Sequence, residues 1–182
     1  MTASLGLGKV DGVKSVRVTD AAHQLFHVLL DRGIRVVCAE SCTGGMVTAA
    51  ITDIPGSSEV LWGGVVAYSN ECKFRLLGVS PALIAEFGAV SREVARAMAI
   101  GALAALGTAN HGVDVTLAIT GIAGPEGGSP EKPVGLVWFA FRSANGQAFE
   151  ESAIFSGGRH EVREAATERA LIRAAALAID RY

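Results

Sequence analysis

Ser41, Tyr68 and Lys73 are the residues of this chain whose types and placement suit nucleophilic attack on a carbonyl. Ser41 follows the apolar, β-branched run of residues 34–39 and precedes Gly44, Gly45 and the helical pattern MVTAAITDI, which reads as strand, tight turn and helix start. A hydroxyl there meets unpaired backbone N–H groups and the positive end of a helix dipole, both favourable to developing negative charge. Tyr68 closes a second apolar run, and Lys73 follows five residues later. The three can divide the work of amide hydrolysis without a histidine. Ser41 attacks, Tyr68 and Lys73 move protons, and backbone N–H groups around Thr43, Gly44 and Gly45 hold the oxyanion. A lysine near its usual pKa of about 10.4 is a poor base at neutral pH, so Lys73 must be partly desolvated or set near another positive dipole. Tyr68 either relays the proton between Ser41 and Lys73 or donates to the leaving ammonia. Glu40 either orients Lys73, contacts a substrate hydroxyl, or is an exposed turn carboxylate. The plain structural alternative for the turn is a capping Ser or Thr with packing glycines.

The flanking elements must bring these residues to one edge. Thr19 caps a helix over 20–32 that Gly33 ends. The turn helix over 44–53 stops before Pro55-Gly56, and 60–68 returns as a second strand, giving a right-handed βαβ unit whose parallel strands open on the same edge. Ser80-Pro81 starts a short helix to about Phe87, and Ser91 opens a longer one. That longer helix carries no charge from Ala97 to Gly107 and needs cover on every side, from the sheet, another helix or a second subunit, which suggests a homo-oligomer such as a dimer. Residues 113–119 form a third strand, ending in a glycine-rich turn where Thr120 and Gly121 wall a substrate pocket. Residues 134–141 and 147–155 read as a β-hairpin in which Asn145-Gly146 supplies the positive φ values. Gly157-Gly158-Arg159 leads into an Ala-rich helix ending near Arg181, and Arg159 at that start is a phosphate seat or else a solvated arginine.

Composition narrows the function classes. The 182 residues suit one domain, and 50% hydrophobic, 19% charged and a net charge of −2 exclude disorder and a broad attraction to nucleic acid. Direct DNA binding is not expected, since no basic recognition helix or aromatic-basic platform is present. Cys38, Cys42 and Cys72 form no CxxC pair, which points to free thiols in a reducing compartment. No run reaches the ~18–20 apolar residues of a membrane span, and the first 18 residues lack a signal-peptide core, so a soluble, cytoplasmic protein without membrane partners is expected. His23 and His27 have metal-ligand spacing but no third ligand, and His160-Glu161 fails HExxH because Glu164 holds the fifth position. Neither a metal nor another cofactor is expected. The turn after residue 119 matches neither GxGxxG nor GxxxxGK.

The segments ESCTGG (40–45), DIPGSS (53–58), GGVVAYSNECK (63–73), LLGV (76–79), GAVSREVARAMA (88–99), AITGIAGPEGG (118–128) and PEKPVGLVWFA (130–140) together resemble the CinA C-terminal-domain family, across about residues 19–180. That resemblance implies a three-layer α/β/α sandwich with a mixed, largely parallel sheet, residues 1–18 being an N-terminal extension to a domain of 19–182. It further implies hydrolysis of the carboxamide of nicotinamide mononucleotide to nicotinic acid mononucleotide and ammonia, in pyridine nucleotide salvage. Ser41, Tyr68 and Lys73 match the catalytic motifs; Glu40, Thr43, Gly44, Gly45, Thr120, Gly121 and Arg159 are the expected substrate contacts. Many relatives carry a large N-terminal domain with pyrophosphatase activity, so the chain is expected to be the stand-alone form. Two alternatives remain: a non-catalytic nucleotide-binding or oligomerisation module linked to competence or DNA damage, and an amidase for another small amide.

Overall fold

Strand β1 (Val36–Glu40) is buried along its whole length because both of its faces are covered. Successive side chains point opposite ways, so Val36 and Cys38 enter one hydrophobic core while Val37 and Ala39 enter another. The computed structural model describes residues 16–106 and 113–181. Beside β1 lie β2 (Leu61–Val66) and β3 (Val115–Gly121), both parallel to it, and β4 (Leu136–Ser143) and β5 (Ala148–Ile154) follow as an antiparallel hairpin. The strand order is β2-β1-β3-β4-β5. Because β4 reverses and β5 reverses again, only β4 opposes the common direction, which makes the sheet mixed yet largely parallel in orientation.

Helices α1 (Val16–Arg32), α2 (Met46–Thr52) and α6 (Arg159–Arg181) cover one face, over large side chains such as Leu117, Ile119, Phe139 and Phe141. Helices α3 (Asn70–Leu77), α4 (Pro81–Phe87) and α5 (Arg92–Leu106) cover the other, where the sheet presents the small side chains of Ala39, Ala118 and Ala140. Three layers result. Small residues beneath α5 let it seat closely, and Gly101 brings it hard against α3: a Cβ there would lie 1.8 Å from the Leu77 carbonyl oxygen.

Several boundaries differ from the sequence reading. Helix α1 begins at Val16, and Thr19 lies inside it, because Val18 continues the buried stripe of Ala21, Ala22, Leu25 and Leu29. Residues 16–18 therefore belong to the folded unit, while the rest of the expected extension lies outside the described residues. Ser80 makes no side-chain capping bond, whereas Ser91 accepts one from the Val94 N–H at 3.3 Å. The hairpin turn uses positive φ at Gly146 alone, at 89°, so Asn145 keeps an ordinary backbone and Ser143 closes the loop on Gln147. Helix α5 finds its cover on β1, β3 and β4 and against α3 and α4. Its inner face is thus covered within the chain, while Ile100, Ala104 and Ala105 on its outer side are exposed. Among the described residues, no helix is long and apolar enough to cross a membrane.

Replacing Gly101 with Ala should destabilise the protein by at least about 2 kcal/mol, since overpacking against backbone outweighs the ~1 kcal/mol that alanine gains in helix propensity. Urea unfolding measures this, and unchanged or raised stability would contradict the close approach of α3 and α5.

Candidate active site

The same alternation that divides the cores divides the work of two adjacent residues. Glu40 shares its face with Val36 and Cys38, beneath α2; Ser41 comes next and turns towards α3. Ser41 is anchored by its N–H to the Ile119 carbonyl at 3.0 Å, and Ala67 by its N–H to the Glu40 carbonyl at 2.8 Å. These bonds extend the parallel ladder just past β1 and β2, so the chain entering α3 passes close to Ser41. Ser69 caps α3 by accepting from the Cys72 N–H at 3.1 Å, and Lys73 falls in the first turn, pointing inward.

Lys73 is 2% exposed. Its Nζ lies 3.0 Å from Ser41 Oγ, 3.1 Å from the Ala67 carbonyl and 3.0 Å from the Tyr68 carbonyl. An ammonium donates to all three. A neutral amine has two N–H bonds and one lone pair, and the two carbonyls can only accept. The lone pair must then face the single partner able to donate, the Ser41 hydroxyl. Burial pushes the Lys73 ammonium below its ordinary 10.5, with Cys42 and Cys72 pulling weakly the other way. The desolvation that Lys73 needs as a base is present, and the carbonyl pair aims it.

Tyr68 reaches Lys73 through its main chain. Its ring is exposed, and its hydroxyl accepts from Arg159 Nη2 at 2.8 Å, while Arg159 Nη1 donates to the Gly124 carbonyl at 2.8 Å. A relay from Ser41 through the Tyr68 hydroxyl to Lys73 is therefore unnecessary in this arrangement, since Lys73 already touches Ser41. Glu40 is neither exposed nor bonded to Lys73: its carboxylate accepts from the N–H groups of Gly45 at 2.9 Å, Val47 at 3.2 Å and Thr48 at 2.9 Å, and from Thr48 Oγ1 at 2.7 Å. Glu40 thus supplies the anion that the N-terminus of α2 attracts.

A cleft of about 160 Å³ opens beside these groups, lined by Ser41, Cys42, Tyr68, Asn70, Lys73, Ala89, Val90, Thr120, Gly121, Ala123 and Arg159. Of the expected substrate contacts, Thr120, Gly121 and Arg159 line it; Glu40, Thr43, Gly44 and Gly45 do not. Thr120 also holds the opposite wall, donating its hydroxyl to the Ala89 carbonyl at 2.8 Å. The Gly44 N–H is spent on the Ser41 carbonyl at 3.1 Å and the Gly45 N–H on Glu40. Among the described residues, no hydrogen bond takes up the N–H of Cys42 or of Thr43; burial pushes the Cys42 thiol up to about 12. Thr43 is fully buried, and its hydroxyl has no hydrogen-bond partner among the described residues.

The sequence reading missed Asn70, the wall at Ala89 and Val90, and above all Arg163. Arg163 Nε donates to the Cys42 carbonyl at 3.1 Å and Nη2 to the Thr43 carbonyl at 2.9 Å, gripping the Ser41 turn from α6. Its spacing of four from Arg159, which places both on one helix face, was the available signal.

Fold and site define a three-layer α/β/α protein with a lysine-paired serine at the edge of its sheet. The chain belongs to the CinA C-terminal-domain family, whose model matches residues 18–177. It is 49% identical over 150 residues to the nicotinamide-nucleotide amidohydrolase PncC of Escherichia coli, covering 82% of this chain and 88% of that one. It is 51% identical over 139 residues to a CinA-like protein of Mycobacterium tuberculosis, covering 76% of this chain but 31% of that longer relative. The crystal structure of the competence/damage inducible protein CihA from Agrobacterium tumefaciens superposes with a TM-score of 0.84 at 40% identity, covering 91% of this chain and 98% of that one.

The buried lysine should be legible in stability. Protonation of Lys73 is penalised in the native state, so between its lowered native pKa and 10.5 the unfolded chain binds the extra proton and wild-type stability rises with pH. Below that window the full penalty persists. Lys73→Met carries no such proton and should melt higher than wild type at neutral pH, the gap narrowing as pH approaches 10.5. Thermal melts across pH check this; a gap independent of pH would contradict a penalised ammonium.

Proposed function

We propose that this chain hydrolyses the carboxamide of nicotinamide mononucleotide, with Ser41 as nucleophile and Lys73 as its base. The observation that carries the reading is the Lys73 amine, buried between two carbonyls and 3.0 Å from Ser41 Oγ. The similarity to an enzyme named as a nicotinamide-nucleotide amidohydrolase supports this choice of substrate.

Ser41 Oγ adds to the amide carbon as its proton passes to Lys73, and the carbonyl oxygen takes the negative charge. We assign the oxyanion to the N–H groups of Cys42 and Thr43, since those of Gly44 and Gly45 are consumed by the turn. Collapse breaks the C–N bond as the amide nitrogen takes the proton that Lys73 received from Ser41, releasing ammonia, restoring the neutral amine and leaving an acyl-Ser41. Tyr68 is placed to assist there: its hydroxyl accepts from Arg159, so its own proton is free to donate. Water, deprotonated by Lys73, then attacks the ester, and Ser41 regains its proton as nicotinic acid mononucleotide departs. The product is the acid form that pyridine nucleotide salvage can return to dinucleotide synthesis.

Size supports a division of the ligand. At about 160 Å³ the cleft is smaller than the ~300–1,000 Å³ typical of sites for drug-sized ligands, so it encloses the ring and its amide while ribose and phosphate lie at the mouth. Arg159 stands at that mouth.

Purified wild type should form ammonia and nicotinic acid mononucleotide in equal amounts, with or without a chelator. Ser41→Ala should lose at least about 10³-fold in kcat, and free nicotinamide should be a much poorer substrate than the mononucleotide. A folded wild type that releases neither product contradicts the assigned reaction, and preference for free nicotinamide removes Arg159 from phosphate recognition.

A further inference from the structure

The turn that carries Ser41 contains two consecutive glycines with positive φ, 63° at Gly44 and 95° at Gly45, a backbone with little stiffness of its own. Catalysis needs the opposite property, since oxyanion donors act by being fixed before charge develops. Arg163 supplies the fixation from outside the turn. Its guanidinium donates to two successive carbonyls, those of Cys42 and Thr43, in the forked geometry that a planar guanidinium imposes. It fits closely beneath the glycines: a Cβ on Gly44 would lie 3.2 Å from Arg163 Nη2.

In a trans peptide the C=O and the following N–H point in opposite directions within one plane. Holding the Cys42 carbonyl towards α6 therefore directs the Thr43 N–H away from α6. Cys42, whose carbonyl is held in this way, lines the cleft with Ser41. Among the described residues no hydrogen bond takes up the Thr43 N–H, so the donor is open to an oxyanion. Holding the Thr43 carbonyl similarly directs the Gly44 N–H, which closes the turn on the Ser41 carbonyl at 3.1 Å. A cation on each carbonyl also draws density out of its amide and strengthens the N–H at the other end.

We propose that Arg163 is a positioning residue for the acyl transfer: by gripping the Cys42 and Thr43 carbonyls it aims and strengthens the Thr43 N–H as an oxyanion donor. Arg163 acts through the backbone and does not contact the substrate. The proposal rests on Ser41 being the nucleophile, but not on which amide is the substrate.

The test separates these dependences by measuring Ser41 labelling by a fluorophosphonate probe, which requires an activated serine and its oxyanion donors but no nucleotide. Arg163→Met should label about tenfold to a hundredfold more slowly than wild type, short of the ~10²–10³ lost when a donor is removed outright. Millimolar guanidinium should restore part of that rate, and Arg163→Lys, which keeps the charge but not the fork, should fall between the two. With nicotinamide mononucleotide, kcat should fall to match while KM stays within about twofold. Wild-type labelling by Arg163→Met overturns the proposal, as does slow labelling that neither guanidinium nor lysine improves, the mark of a merely structural loss. Should the methionine variant fail to fold, Arg163→Lys decides: slower labelling in a folded protein supports the proposal and a wild-type rate overturns it. A wild type that labels but does not turn over the mononucleotide removes only the substrate assignment, and the labelling rates then judge Arg163 alone. A wild type that does not label removes the nucleophile and the proposal with it.

Discussion

The structure depends on keeping a lysine amine out of water while denying it a counter-ion. The hydrogen-bond partners of Lys73 are a hydroxyl and two carbonyls, none of them charged. A carboxylate in their place would stabilise the ammonium and leave no base at neutral pH. The two carbonyls do something a carboxylate would not: they occupy both N–H bonds of the neutral amine and leave its lone pair one direction in which to find a proton. Both belong to Ala67 and Tyr68, residues that leave β2 and enter α3, so the end of the parallel ladder and the start of a helix jointly hold the amine. The cost is stability, as expected where a group is held in its less solvated state for function.

The Ser41 turn is built to serve that contact. Helix α2 brings unpaired N–H groups to the turn, and the chain provides its own anion for them in Glu40, whose carboxylate binds three backbone N–H groups and a hydroxyl. Period-two alternation explains how neighbours can differ so completely: Glu40 faces α2 while Ser41, one residue later, faces α3. Arg163 then grips the turn from behind through α6, the helix whose first residue, Arg159, stands at the mouth of the same cleft. One helix thus connects the Ser41 turn to the lining of the cleft.

Much of this was legible in the amino-acid sequence, and the rest was hidden for identifiable reasons. The apolar runs ending at Glu40 and Tyr68, the glycine turn and the Asn-Gly hairpin carry strong local signals, and they gave the α/β architecture and the common edge. That Lys73 would meet Ser41 followed from parallel strands opening on one side. Which part of Tyr68 it would meet did not, because the direction of a side chain after a strand depends on where the next helix begins, here at Asn70 behind the Ser69 cap. The role of Glu40 was readable from alternation but was outweighed by its adjacency to the nucleophile. Arg163 and the cover of α5 depend on tertiary placement, which spacing along one helix does not specify.

Direct titration of Lys73 tests the central claim most plainly. The chain has four lysines, at positions 9, 14, 73 and 132, so side-chain-labelled lysine gives a spectrum simple enough to follow each through a pH series by nuclear magnetic resonance, with Lys73→Met identifying its signal. The account expects one lysine signal to titrate below the ordinary 10.5 and to be absent from the variant. A Lys73 signal that titrates at the ordinary value would contradict the account, because an amine fully protonated at neutral pH has no lone pair to offer Ser41.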